Sequence, residues 1–356
     1  MRVRGALLIT GAAAAMACVS AASGDVFNMG GGLTSLEFVT VGNTGNAADS
    51  TGYGAVDYEY RIGKFEVTAA QYCEFLNAVA KTDTYGLYHG RMWTWEDGCK
   101  IQQGGSPGSY TYGVDANWTN RPVNYVDWFD AIRFCNWLTN GQPDGNQDAS
   151  TTEDGSYLLT GQTGTPSSWF PNDAERKPNA RYVLPSENEW YKAAYYDPNK
   201  PGGPGYWVYP TGTDAVPDNA LVDPDPGNNA NFHDANATPY ASGFTIGSPY
   251  YRTNVGAFEN SPSPYGTFDQ GGNVAAYSED LHLGSPLLRG GAFADGPFAF
   301  TGGVERLLKS CRPNVMDGPL YGVQQTGIRV VEVPEPATVA LVALGIPLLR
   351  RRKRGV

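Results

Sequence analysis

Apolar positions fall at helical spacing in three stretches of this chain. Tyr72, Phe75, Leu76 and Val79 stand at i, i+3, i+4 and i+7, which places them on one face of a helix. Thr68 precedes them with Gln71 three residues on, the side-chain pair that satisfies the free amides of a first turn. A second stretch begins near Asp127 and carries Trp128, Ile132, Cys135 and Leu138. The third opens on Ser186 and Glu189, after Pro185, and runs through Trp190, Ala193 and Ala194. An extended segment is predicted ahead of each helix: Arg61 to Val67, Arg121 to Val126 and Arg181 to Leu184. Two long stretches, Gly141 to Gly164 and Pro198 to Asn231, are rich in Gly, Asn, Asp and Pro. Loops of that length inside a compact domain carry function or irregular local order. With no fixed-period repeat and no sharp linker, the pattern predicts one irregular α+β domain.

Both ends carry apolar runs of another kind. Arg2 and Arg4 precede Ala6 to Ala17, and small residues around Ser20 to Ser23 offer a cleavage region, so residues 1–23 read as a secretory signal peptide. Cys18, after Ala15, Met16 and Ala17, is only a loose match to a lipoprotein box. At the other end Pro334, Glu335 and Pro336 lead into Ala337 to Leu349, and Arg350, Arg351, Arg352, Lys353 and Arg354 close the chain. The basic end is expected to stay cytoplasmic. A helix of this apolar run would span roughly 20 Å of a hydrocarbon core of about 30 Å, and Pro347 interrupts it, which favours transient insertion over an ordinary single-span anchor.

Removing both ends changes the charge. Two of the 25 basic residues lie in the leader and five in the tail, leaving 18 against 35 of the 36 acidic ones, so residues 24–333 are near −17. Such a surface disfavours nucleic acid and anionic lipid. A hydrophobic content of 41% is enough for a large core, while 45 Gly, 25 Pro and 22 Tyr point to a loop-rich exported domain. Cys73, Cys99, Cys135 and Cys311 remain, an even number that permits two disulfides in three connectivities. Cys73 and Cys135 each fall on a predicted helix, where a small buried apolar group is the competing reading.

Six ordered blocks resemble the formylglycine-generating enzyme (sulfatase-modifying factor) family: Lys64-Phe-Glu-Val-Thr-Ala-Ala-Gln-Tyr72, Arg121-Pro-Val-Asn-Tyr-Val-Asp-Trp128 with Phe134-Cys-Asn-Trp137, Leu184-Pro-Ser-Glu-Asn-Glu-Trp190, Tyr265-Gly-Thr-Phe-Asp-Gln-Gly-Gly-Asn-Val274, Leu288-Arg-Gly-Gly291 and Gly327-Ile-Arg-Val330. The resemblance spans roughly Leu36 to Val331 and implies a C-type-lectin-like α+β fold with little regular secondary structure. The tail similarly resembles the PEP-CTERM sorting signal of exopolysaccharide-producing Gram-negative bacteria. That implies exosortase and the secretion machinery as partners, with the cell surface or extracellular matrix as destination.

For activity the resemblance implies a departure. Catalytic members hold copper on two cysteines beyond an Arg-Gly-Gly-Ser block, and soft thiolates suit Cu(I). The positions that carry over are Ala292 for the serine and Asp295 and Phe300 for the cysteines, so a copper centre is not expected. Cys311 matches a structural family cysteine instead, and a Cys99 to Cys311 disulfide is an expectation of the resemblance alone. A related branch uses iron on three histidines, but His89, His233 and His282 share no predicted element, which disfavours iron. Two family calcium sites fall on Asp269 with the carbonyls of Gly272 and Val274, and on Asn231 with the carbonyl of Phe232. The closing Glu of the first is Ala276, which leaves Glu279 or Asp280 to substitute.

Asp144, Asn146 and Asp148 imitate an EF-hand loop, but Ala149 and Gly155 stand where its Gly and closing Glu belong, so a turn-rich loop is expected. Asp223-Pro-Asp-Pro-Gly227 reads as a rigid turn. Rings predicted in loops, namely Trp93, Trp95, Trp118, Trp169, Trp207, Tyr110, Tyr112, Tyr250 and Tyr251, could stack on sugars of an extracellular polysaccharide, anchor a surface protein or pin loops to the core. Two functions follow: an exported, non-catalytic binding or structural module, or an enzyme of the same superfamily with an altered centre in which Asp295 acts in place of the first cysteine.

Overall fold

The computed structural model describes residues 36–163, 174–234, 243–282, 285–294, 307–309, 311 and 324–334. The leader, the tail beyond Pro334, Asp295, Phe300 and Trp169 lie outside them, as does the side chain of His282. Among the described residues no helix is long and apolar enough to cross a membrane.

The three patterned stretches form helices α1 (Ala69–Val79), α3 (Trp128–Thr139) and α4 (Glu187–Tyr195). Each starts on a reciprocal capping box. Thr68 Oγ1 accepts from the Gln71 amide while Gln71 Oε1 accepts from the Thr68 amide; Ser186 and Glu189 do the same for α4. Asp127 caps α3 with Asp130, a box closed by Asp rather than Glu or Gln. A fourth helix, the single turn α2 (Arg91–Thr94), carries no helical-face pattern because it is too short to have one. The faces of α1 and α3 meet through aromatic rings: Phe75 lies 5.4 Å from Phe134 and 5.2 Å from Trp137, edge-on and tilted. Together with Tyr72, Ile62, Val183 and Val331 they form the main core.

The strands are short. An antiparallel sheet is ordered β1 (Phe38–Val41), β2 (Tyr60–Gly63), β11 (Val331–Glu332) and β5 (Tyr182–Val183), so the last strand inserts between the second and the fifth. A second sheet places β8 (Ala275–His282) between β10 (Thr326–Gly327), parallel to it, and β9 (Ser285–Arg289), antiparallel with a register shift after Tyr277. Hairpins β3 (Ile101–Gly104) with β4 (Thr111–Val114) and β6 (Tyr196–Asp197) with β7 (Gly205–Tyr206) complete the set. Of the predicted extended segments, Arg121 to Val126 forms no strand. Pro122 lacks an amide and Tyr125 turns left-handed at φ 60°, while the side chain of Asn124 between them ties the segment down by donating from Nδ2 to the carbonyls of Asp97 and Gln324.

The long loops owe their order to buried side chains. Asn136 of α3 donates to the carbonyls of Thr152 and Tyr157, and Asn140 to those of Thr151 and Asp154. Arg133 meets Glu153 through two bonds of 2.6 and 2.9 Å, both side chains buried. Asp148, the EF-hand look-alike, closes a local turn by accepting from the Ser150 amide and hydroxyl. Asp225 braces the proline-stiffened turn, accepting from Asn229, Ser261 and the amides of Gly227 and Asn260.

The cysteines correct the disulfide expectation. Cys73, Cys99 and Cys135 are buried thiols, so neither a Cys99 to Cys311 nor a Cys73 to Cys135 bridge forms. The Cys99 Sγ lies 3.8 Å from the Asn124 carbonyl, whereas the half-buried Cys311 is held by its carbonyl on Arg289. Burial pushes the Cys73 thiol up to about 12 and raises Cys99 and Cys135 as well, which makes them inert packing groups.

Candidate functional site

Gly290 and Gly291 turn the chain out of β9 at φ 96° and 71°, conformations that glycine adopts without strain. A Cβ at Gly290 would stand 2.5 Å from the Gln270 carbonyl, so this turn presses against the loop of the first calcium expectation. The next residue, Ala292, is fully buried and presents a methyl where the resemblance places a serine hydroxyl. Phe293 follows, also buried, its amide on the Asn273 carbonyl and its ring 5.4 Å beneath the Arg252 guanidinium.

The two calcium expectations come side by side, because Asn231 and Gly272 pair as an isolated parallel bridge. Gly272 is required there: a Cβ would lie 2.1 Å from the Asn231 carbonyl. Asp269 turns left-handed at φ 56° and accepts from the Gly256 amide at 2.6 Å; burial raises its carboxyl to about 6. A cavity with room for about one water adjoins Asp269, Asn229 and Ser261. The expected substitutes for the missing Glu are committed elsewhere. Glu279 is held by Arg176 and the Tyr157 hydroxyl, and Asp280 accepts from the Glu187 amide at the start of α4. At the second position the Phe232 carbonyl already accepts from Asn219 and Thr245, leaving Asn231 Oδ1 as a buried acceptor with no partner. Calcium takes six to eight oxygens. One carboxylate at the first position and one amide oxygen at the second fit it only as a weak site at Asp269.

The two histidines whose side chains are described are each engaged in packing. His89 stacks on Tyr125 and accepts from the Arg91 amide through Nδ1; burial, then Arg91, lowers its pKa. His233 packs edge-on against Phe244, 4.7 Å away. Among the described residues no group of three or more His, Cys, Asp or Glu is placed to hold a metal ion.

The loop rings divide by exposure. Trp118 and Tyr112 are buried, and Trp207, Tyr110, Tyr250 and Tyr251 are half-buried, so these pin loops to the core. Trp93 and Trp95 are 39% and 45% exposed.

Sequence reasoning passed over the buried arginines. Arg252 gives one bond to the Asp97 carbonyl at 2.6 Å and leaves Nε and Nη2 unpartnered. Around it Glu66 Oε2, Asn124 Oδ1, Thr253 Oγ1 and Asn231 Oδ1 are likewise buried without partners. Glu66 holds the Val274 amide, and burial and then Asp269 push its carboxyl well up. An Arg beside two Tyr in an otherwise acidic loop region was the available signal. Buried polar groups left without protein partners are where ordered water binds.

Solved structures with similar overall traces include CarF (18% identity, covering 84% of this chain and 99% of that one, TM-score 0.47), Treponema denticola variable protein 1 (20%, 85% and 97%, 0.45) and PvdO from Pseudomonas aeruginosa (17%, 84% and 92%, 0.39). No curated protein sequence matches the chain. The model of the sulfatase-modifying factor enzyme 1-like domain matches residues 31–333, spanning every element from β1 to β11, and on that match the chain belongs to the FGE-sulfatase family.

Proposed function

We propose that this chain is an exported member of its family that has given up the oxidative chemistry and serves as a binding or structural module at the cell surface or in the extracellular matrix. The observation that carries the reading is Ala292: the residue that would stand beside the metal is a fully buried methyl, and the positions carried over from the two copper cysteines are Asp295 and Phe300. Neither side chain supplies the soft thiolate that Cu(I) needs. The amino-terminal leader and the Pro334-Glu335-Pro336 tail support export followed by exosortase recognition, with a transient membrane stage through the apolar run. Calcium has a place in this reading only as a weakly held ion on Asp269 with the carbonyls of Gly272 and Val274. No role is assigned to nucleic acid, which a domain near −17 repels.

The test is metal content and activity on the same preparation. The full chain, incubated with Cu(I) and passed through a desalting column, should retain well under a tenth of an equivalent and convert no cysteine of a sulfatase-type peptide to formylglycine. Copper at one equivalent with aldehyde formation would overturn the reading and direct attention to Asp295.

A further inference from the structure

We propose that the surface around α2 binds an acidic polysaccharide, with Trp93 and Trp95 stacking on sugar rings and Arg91 pairing with their carboxylates. The inference rests on the binding-module reading and gives that module a site and a ligand class. Trp93 and Trp95 are the most exposed tryptophans among the described residues, since Trp118, Trp128, Trp137 and Trp190 are all at 7% or below and Trp207 is half-buried.

The rings are also held ready. Between them and the core lies Met92, fully buried, whose carbonyl takes the Lys100 amide at 2.7 Å. The Lys100 ammonium donates to the carbonyls of both Trp93 and Trp95 and so clamps the backbone that presents them. Gly98 lies so close beneath that a Cβ would stand 2.3 Å from the Met92 carbonyl. The segment is a rigid platform, and little ordering entropy remains to be lost on binding.

Charge selects the ligand. Arg91 lies 4.4 Å over the Trp95 ring and forms no ion pair among the described residues, and Lys100 forms none either. Of the nearby acids, Asp97 is buried on Tyr125 and Gln324, and Glu96 accepts from Ser248. Lys100 is spent on the backbone carbonyls, so Arg91, stacked on Trp95 and free of an ion-pair partner among the described residues, is the cation that sits at the edge of the two exposed rings. Uronic-acid polymers offer both features, an apolar ring face and a carboxylate on each residue. A protein partner fits less well, because two rings amid polar side chains fall far short of the ≈ 800 Å² per partner of a stable interface. An anionic membrane would face the acidic surface over a broad flat contact, whereas a single polymer strand need meet only the patch of Arg91, Trp93 and Trp95.

The experiment titrates the full chain with alginate and polygalacturonate, with dextran as the neutral control and phosphatidylglycerol vesicles as the membrane control, following tryptophan emission and heat. A uronic polymer should bind and dextran should not. W93A/W95A should weaken binding at least tenfold, and R91Q about threefold with a flatter salt dependence. R91Q should melt with the parent, and W93A/W95A should stay folded with a melting temperature lowered by no more than a few degrees, since both rings keep a large share of their surface in water. Binding of neither uronic polymer, equal binding by W93A/W95A, or binding of the vesicles alone overturns the inference. If no polymer binds while copper is also not retained, the site assignment falls and the non-catalytic reading stands. Retained copper sinks that reading, and the titration with W93A/W95A still decides this one.

Discussion

Two buried arginines, Arg133 and Arg252, show opposite uses of a charge inside the same molecule. Arg133, on α3, meets Glu153 in a two-bond ion pair, gives a third bond to the Gln162 carbonyl and stacks 4.4 Å over Tyr85. Arg252, beside Phe293, has one carbonyl for a partner and two nitrogens left over, among unpartnered oxygens of Glu66, Asn124, Thr253 and Asn231. The first region pairs its charge and fixes a loop, with Nη1 the one nitrogen of the Arg133 guanidinium left without a partner. The second leaves them unanswered beside Phe293, and the comparison separates a charge paired for scaffolding from a polar interior with donors and acceptors to spare.

Breaking the closed pair should give the largest effect. E153A leaves Arg133 charged and uncompensated, and should cost about 3–5 kcal/mol in denaturant unfolding. R252M, which removes a charge whose partners are incomplete, should cost about 1–2 kcal/mol by the same measurement, the lost carbonyl bond being partly offset by relief of an unsatisfied guanidinium. An equal loss in both variants would erase the distinction.

Asp269 sharpens the open side of the comparison at smaller scale. Its carboxyl takes up a proton near pH 6 in the folded protein against an ordinary 3.8, so between those values the folded state binds more protons and stability falls as pH rises. D269N should therefore gain on the order of 1 kcal/mol at pH 7.5, with the gain shrinking to nothing by about pH 4. Calcium at 10 mM, with a dissociation constant of about 1 mM as in weak extracellular modules, should stabilise the parent by about 1.4 kcal/mol and D269N not at all. A calcium effect that survives in D269N would move the ion elsewhere.

What was legible in the sequence follows from the range of the interaction concerned. Capping boxes and helical faces are local, and Thr68 with Gln71 and Ser186 with Glu189 placed α1 and α4 directly. Strand β8 was harder to see, because Ser278, Glu279 and Asp280 interrupt its apolar alternation to serve Arg176 and α4. That same service explains why Glu279 and Asp280 cannot turn toward Asp269, which only tertiary placement reveals. The substitution at Ala292 was readable by position, whereas the unpartnered surround of Arg252 brings together residues from Glu66 to Thr253 and has no local signature. Exposure likewise sorted rings that composition could not: Trp118 turned inward and Trp95 outward, though both stand in segments without a helical-face pattern.

Fastening the loop of residues 141–163 to α3 has a consequence for how the chain comes apart. Carbonyls of Thr152 and Tyr157 hang on Asn136 of that helix, those of Thr151 and Asp154 on its C-cap Asn140, and Glu153 on its arginine. A protease needs a freed stretch of backbone, and here that stretch cannot be freed without tearing its anchors from the helix that packs against α1. Despite its Gly and Asp content, this loop should open with the core rather than before it, so a single cooperative event guards both.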